Sequence, residues 1–221
     1  MPLDAESARR VYDRVGRLQD SQRFYEDAAT GRLRDMARLS EAAAVFELGC
    51  GTGRFAARVL AGELPGDARY LGVDVSPRMV ELARRRLLPY SSRAQVRLLE
   101  APASTLPGAD ESFDRLVSTY VFDLLSDEHA RALLVEAHRL LVPGGLLALV
   151  SLTHGWTVAS RALAGAWGAA ATRWPALLGG CRPIELGELL DANAWKVLER
   201  DRVKSWGVPS EVLLALRRES S

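Results

Sequence analysis

The stretch VFELGCGTGRF, residues 45–55, constrains this chain more than any other. A short apolar run that reads as a strand is followed by Gly49, Gly51 and Gly53, at every second position where a helix should begin. Glycines there let the backbone turn tightly and approach a ligand, while the helix starting near Arg54 aims unpaired N–H groups at the same place. Such a loop belongs at the carboxyl end of a strand in an open parallel sheet, where ligands bind at the point of strand-order reversal. A dinucleotide loop, G-x-G-x-x-G, would want its third glycine at position 54, which is Arg, so a nucleotide-dependent oxidoreductase fits poorly. The spacing is instead E-x-G-x-G-x-G, and the Glu47 carboxylate suits a ligand carrying an ammonium group better than a pyrophosphate. Twenty-one residues past Gly53, Asp74 ends the next apolar run, placed to accept hydrogen bonds from ribose hydroxyls.

After about forty residues of helical pattern, short apolar runs alternate with amphipathic stretches, the signature of an α/β domain. The pattern predicts strands at 44–48, 70–74, 96–99, 113–118, 145–152, 196–202 and 210–217, and helices at 54–63, 77–88, 127–141 and 185–193. Ser76 is placed to cap the second of these helices, with Pro77 in its first turn and Pro89 beyond its end. No helix separates the last two strands, so they are expected to pair antiparallel at the sheet edge. The length, 221 residues, suits a single domain spanning 1–221. A net charge of +1 gives no footprint for nucleic acid or an acidic membrane. Cys50 and Cys181 form no metal-ligand spacing with the three histidines, so no metal is expected. The start lacks the apolar core of a signal peptide and no run is long enough to span a bilayer, which points to a cytoplasmic protein without stable membrane insertion.

Four blocks, VFELGCGTGRF, YLGVDVSPRMVELA, LPGADESFDRLVS and EAHRLLVPGGLLALV, resemble in order and spacing those of the class I S-adenosylmethionine-dependent methyltransferases. Within that superfamily they look most like the ubiquinone and menaquinone biosynthesis group. The resemblance implies a seven-stranded, mostly parallel Rossmann-like sheet of order 3-2-1-4-5-7-6, its last strand antiparallel, flanked by helices. It implies S-adenosylmethionine as cofactor, with Glu47, Gly49, Cys50, Gly51 and Gly53 around the methionine part, Asp74 on the ribose, and Val75 and Met79 against adenine. Ser118, at the fourth strand end, joins this set. Residues 1–40 resemble the N-terminal helices that the group folds over the cofactor as a lid, with Tyr12 and Tyr25 as contacts. One block departs from the family pattern: in APASTLP, Pro102 stands where an acid or amide usually meets the adenine amino group. Glu100, Ser104 or backbone groups at Ala101 and Ala103 are the candidates to replace it.

Methyl transfer from a sulfonium needs an aligned nucleophile and exclusion of water, and a base is optional. The fourth strand ends in STYVFD, without the N/D-P-P-Y/F signature used on exocyclic amines of bases. Tyr120 and Asp123 follow that strand and His154 follows the fifth, so these three are the catalytic candidates bordering the acceptor pocket. His129 and His138 read as solvent-facing or capping residues, and the acidic run from Asp110 to Asp114 as a solvated turn. The insert 155–182 reads as a cap on the acceptor side, because Trp156, Trp167 and Trp174 share one helical face. That stripe suits packing, an apolar pocket wall, a homodimer interface or a lipid surface. The expected activity is methylation of a small, apolar or aromatic acceptor at O, C or N. The alternative is a non-catalytic S-adenosylmethionine-binding or scaffold protein that keeps the fold.

Overall fold

Five consecutive buried residues, Ala44–Leu48 (β1), form the centre of the sheet, as expected of a strand covered on both faces. The computed structural model describes residues 23–100, 105–154 and 181–219. In chain order its elements are Arg23–Met36 (α1), β1, Arg54–Gly62 (α2), Arg69–Asp74 (β2), Pro77–Arg86 (α3), Ala94–Leu98 (β3) and Phe113–Thr119 (β4). There follow Asp127–Leu140 (α4), Leu141–Leu152 (β5), Leu186–Leu189 (α5), Trp195–Ser205 (β6) and Val208–Arg217 (β7). The seven strands lie in the order β3-β2-β1-β4-β5-β7-β6, as expected from the sequence. Strands β1 to β5 are parallel, and β7 runs antiparallel to both β5 and β6. The order reverses between β1 and β4, so the crevice of an open sheet lies at their carboxyl ends.

Each helix buries the stripe its spacing dictates. Ala29, Leu33 and Met36 of α1, Ala56, Val59 and Leu60 of α2, and Val80 and Ala83 of α3 share one core layer with Val45, Val117, Ala148 and Val212. On the other face, Ala130, Leu133, Leu134, Ala137 and Leu140 of α4 pack with Phe46, Leu116, Leu147 and Leu213. Adjacent strand residues thus alternate between the two layers, which is the period-2 rule of a pleated strand. The Ser76 hydroxyl caps α3 by accepting the Met79 N–H at 3.3 Å, with Pro77 at the first helical position, and Ser126 caps α4 on the His129 N–H at 3.3 Å.

Two elements differ from the sequence expectation. Strand β5 begins at Leu141, directly after α4, and its pairing jumps from Phe113↔Leu141 to Arg115↔Leu146. The intervening VPGG bulges out, because Pro143 has no N–H to donate and Gly144 takes φ 75°. The helix expected over 185–193 is reduced to Leu186–Leu189. Its place is fixed by tertiary bonds instead: the buried Glu211 carboxylate accepts the Leu186 N–H at 2.8 Å and pairs with Arg200. The two histidines of α4 are structural, His129 lying 3.0 Å from the Ser126 hydroxyl and His138 edge-on to Trp195. In the acidic turn, Asp110 pairs with Arg139 and Asp114 accepts the Ala43 N–H.

Candidate functional site

The loop after β1 sits at the strand-order reversal, and its three glycines serve different ends. All three take positive φ: 76° at Gly49, 51° at Gly51 and 72° at Gly53. A Cβ on Gly49 would lie 2.2 Å from Val121 Cγ2, and one on Gly53 would lie 3.0 Å from the backbone of Ala83 in α3. Those two glycines allow close packing. A Cβ on Gly51 would meet nothing within 4 Å, so that face of the loop is an open cradle. The loop is pinned to β2: the N–H groups of Gly49 and Cys50 donate to the Val73 carbonyl at 2.8 and 2.9 Å. Asp74 completes the fastening, its carboxylate accepting the Gly51 N–H at 2.8 Å and the Ser76 N–H at 2.9 Å. Both oxygens therefore shape the loop, and their remaining lone pairs can still accept from a ligand. Burial raises the Asp74 acid, opposed by the N–H bonds from Ser76, Gly51 and Val75.

Beneath the loop, Glu47 is buried and accepts a hydrogen bond from the Tyr70 hydroxyl. Sequence reasoning missed Tyr70. Its ring lies two residues before Gly72 on the same strand face, and Gly72 is the register partner of Glu47. A Cβ on Gly72 would fall 2.6 Å from the Tyr70 hydroxyl and 2.9 Å from Cys50 Cβ, so glycine is what lets the phenol reach the carboxylate. The period-2 spacing of Tyr70 and Gly72 is the one sequence signal of this contact. Burial pushes the Glu47 acid up to about 8; the Tyr70 bond opposes the shift and nearby Asp74 adds to it. A raised carboxyl aimed at a ligand loop is prepared to meet a cation.

Beyond β4, Tyr120 takes φ 55°, and its hydroxyl lies 2.9 Å from the Ser210 hydroxyl on β7. Asp123, in the short turn Phe122–Leu124, is completely buried, and among the described residues its carboxylate makes no hydrogen bond of full geometry, though the backbone N–H groups of Asp123 and Leu152 face it. Burial raises its acid to about 7; the neighbouring Glu26 carboxyl adds to the shift, while backbone N–H groups and Arg182 oppose it. The Arg182 guanidinium is engaged elsewhere, on the Leu125 carbonyl at 2.8 and 3.1 Å and on Asp127. Burial likewise raises Tyr120 and the Cys181 thiol, each felt also by Glu26 and Asp123, so these four groups form one cluster. Glu26 and Cys181 gave no sequence signal, being far apart in the chain. His154 is exposed at the end of β5. Ser118 is buried and its hydroxyl donates to the Leu48 carbonyl at 3.0 Å, fastening β4 to β1. A shallow groove of about 390 Å³ between Ser40 and Arg69 lies at the opposite, amino ends of β1 and β2.

Residues 45–145 match the family described as Methyltransferase domain. The N-methyltransferase NodS from Bradyrhizobium japonicum WM9, solved with S-adenosyl-L-homocysteine, aligns over 88% of this chain and 88% of its own, at 20% identity and a TM-score of 0.65. Over residues 45–145, just under half of the chain, the sequence is that of a methyltransferase domain, and the whole described sheet shares its fold with the NodS structure. The shared fold continues beyond those residues, since the crystal structure of the [4+2]-cyclase SpnF matches 98% of this chain and 97% of that one with a TM-score of 0.74 at 18% identity. Among sequence relatives, the demethylmenaquinone methyltransferase of Tropheryma whipplei is 30% identical over 151 residues, covering 66% of this chain and 59% of that protein. The chain spans about half the length of several curated relatives it matches.

S-adenosylmethionine is the cofactor that the family resemblance implies, and the residues present fit it. Space is open beside Gly51, where an added Cβ would meet nothing within 4 Å, and no cation among the described residues acts on the buried Glu47 carboxyl. The cofactor supplies a methyl group on a positively charged sulfur. Val75 is half-buried next to Asp74, and Met79 is buried in the first turn of α3, both on the β2 side of the crevice. The expectations at Ala101, Ala103, Ser104, Pro102 and Tyr12, and those for the tryptophan insert, lie outside the described residues, as does the side chain of Tyr25.

Proposed function

We propose that the chain transfers a methyl group from S-adenosylmethionine to a small, apolar or aromatic acceptor, leaving S-adenosylhomocysteine. The observation that carries this reading is the open cradle at Gly51, fastened by Asp74 and backed by the buried Glu47–Tyr70 pair. Glu47 would meet the ammonium group and Asp74 the ribose. Tyr120, Asp123 and His154 would border the acceptor side, Asp123 being a completely buried acid. Residues 1–40 and 155–182 would close the site as lid and cap of a single domain. The name of the Tropheryma whipplei relative supports a small acceptor. No helix among the described residues is long and apolar enough to cross a membrane.

The test is calorimetry followed by an acceptor screen. S-adenosylmethionine and S-adenosylhomocysteine should bind and NAD should not. Labelled methyl groups should appear on members of a panel of quinols, phenols, amines and lipids, and should vanish with Gly51→Arg, which fills the cradle. A second reading is favoured by the likeness to a [4+2]-cyclase: the same fold carries another reaction there, so fold alone does not fix chemistry. Binding of S-adenosylhomocysteine with no transfer to any acceptor would support that second reading, or a scaffold role.

A further inference from the structure

We propose that Arg86, in the last turn of α3, is a positioning residue for the cofactor: it holds Thr52 so that the peptide between Gly51 and Thr52 is presented to the methionine part of S-adenosylmethionine. This rests on the methyltransferase reading above. Arg84, Arg85 and Arg86 end α3, where cations suit the helix dipole and a surface charge commonly meets only water. Here each has a different task. Arg84 donates to the Val96 carbonyl of β3 at 3.0 Å, and Arg85 pairs at 2.6 Å with Glu81, one turn earlier on the same helix. Arg86 crosses to the glycine loop, where its Nη1 donates to the Thr52 carbonyl at 2.9 Å and to the Thr52 hydroxyl at 2.6 Å.

Thr52 lies between Gly51 and Gly53, both at positive φ, so the backbone around it has wide conformational freedom unless something holds it. The peptide joining Cys50 to Gly51 is held at both ends: its carbonyl accepts the Gly53 N–H at 2.9 Å, and its N–H donates to Asp74 at 2.8 Å. The peptide joining Thr52 to Gly53 is held by that same Gly53 N–H at one end and by Arg86 at its carbonyl. Between these two, the Gly51 carbonyl and the Thr52 N–H take no hydrogen bond among the described residues, and it is beside Gly51 that space is open. A peptide fixed on both flanks and itself unsatisfied is pre-organised for a ligand, which then need not supply the free energy of ordering it. Helix α3 thereby serves both halves of the cofactor. Its first turn, with the Ser76 cap and the Ser76 N–H on Asp74, fastens the ribose end, while Ala83 against Gly53 and Arg86 on Thr52 fasten the loop. Without Arg86 the Thr52 carbonyl turns to water, and its peptide is free to rotate about the glycines on either side.

The experiment measures, by calorimetry on the full chain, the binding of S-adenosylhomocysteine and of 5′-methylthioadenosine, which keeps the nucleoside and the sulfur but lacks the amino acid. Arg86→Gln should weaken S-adenosylhomocysteine about five- to tenfold, the worth of an ordinary hydrogen bond, and leave 5′-methylthioadenosine within about twofold of wild type. Arg85→Gln removes the same charge without touching the loop, and should leave both ligands within about twofold. Thr52→Val, which deletes one of the two acceptors, should weaken S-adenosylhomocysteine in the wild-type background and no further in Arg86→Gln. The denaturant midpoint of the ligand-free chain should hardly move in Arg86→Gln, because the arginine is exposed at a helix end. Wild-type affinity for S-adenosylhomocysteine in Arg86→Gln would overturn the proposal. So would an equal loss in Arg85→Gln, which would mean charge alone is at work, an equal loss for both ligands, or a Thr52→Val effect undiminished in the Arg86→Gln background. Failure of wild type to bind S-adenosylhomocysteine at all would instead overturn the methyltransferase reading on which it rests.

Discussion

Cofactor binding should release a proton, and Glu47 sets its size. The acid is raised by burial to about 8, so at pH 7 the free protein holds it mostly protonated. If the cofactor ammonium meets this carboxyl, binding favours the ionised form, and close to one proton (~0.9) leaves at pH 7. Only about one molecule in a hundred carries the carboxylate at pH 6 and about one in ten at pH 7, so affinity should climb about tenfold over that interval. The rise should stop near pH 8, where the cofactor's own amino group, with a pKa of roughly 7.7–8.0, begins to lose its proton. S-adenosylhomocysteine is the ligand of choice, since it keeps the ammonium and lacks the sulfonium charge. Calorimetric titration in two buffers of different ionisation enthalpy reads the proton count directly. Tyr70→Phe removes the hydrogen bond that favours the carboxylate, so the midpoint should move up and affinity at pH 7 should fall by about 1.5–3 kcal/mol, roughly ten- to a hundredfold. Glu47→Gln should abolish the slope between pH 6 and 7. A wild-type affinity that is flat over that range, or a slope that survives in Glu47→Gln, would refute the reasoning.

The same group governs stability of the ligand-free chain. Its folded acid lies above its ordinary value of 4.5, so the penalty is absent below that value and complete above about 8; at about 1.4 kcal/mol per pH unit it amounts to about 5 kcal/mol, and denaturant midpoints should fall across this window less steeply in Glu47→Gln. Gly49→Ala should destabilise the fold by several kcal/mol or prevent folding, because its Cβ would collide with Val121, whereas Gly51→Ala should cost only about 1–2 kcal/mol of left-handed strain yet sharply weaken S-adenosylhomocysteine binding. Equal stability of the two variants would contradict the division of labour among the glycines. Asp74→Ala unfastens Gly51 and Ser76, so it should weaken S-adenosylhomocysteine binding about ten- to a hundredfold, and unchanged affinity in calorimetry would place the ribose elsewhere. Ser76→Ala should lower stability by about 1 kcal/mol through loss of the α3 cap, read as a shift in denaturant midpoint.

The architecture was open to reading because its causes are local. Alternating periods of two and 3.6, the Ser76-Pro77 cap and the glycine loop after β1 each follow from neighbouring residues, and the family resemblance supplied the strand order. The two misjudged elements are those governed from afar. The start of β5 depends on its pairing with Phe113 across the sheet, and the shortened α5 depends on Glu211, reached only when β7 lies beside β5. The site divides in the same way. Glu47, the glycines and Asp74 stand within or next to recognisable strands, so their proximity could be argued from the parallel sheet alone. Which glycine faces the ligand could not, because Val121 and Ala83, which close off Gly49 and Gly53, come from elsewhere in the chain. The Tyr70 bond to Glu47 needed the register that sets Gly72 opposite Glu47, and the cluster of Glu26, Tyr120, Asp123 and Cys181 needed three separate segments brought together. Sequence determines what each segment tends to do; burial, and with it the charge state of Glu47 and Asp123, exists only once the other segments have displaced the water.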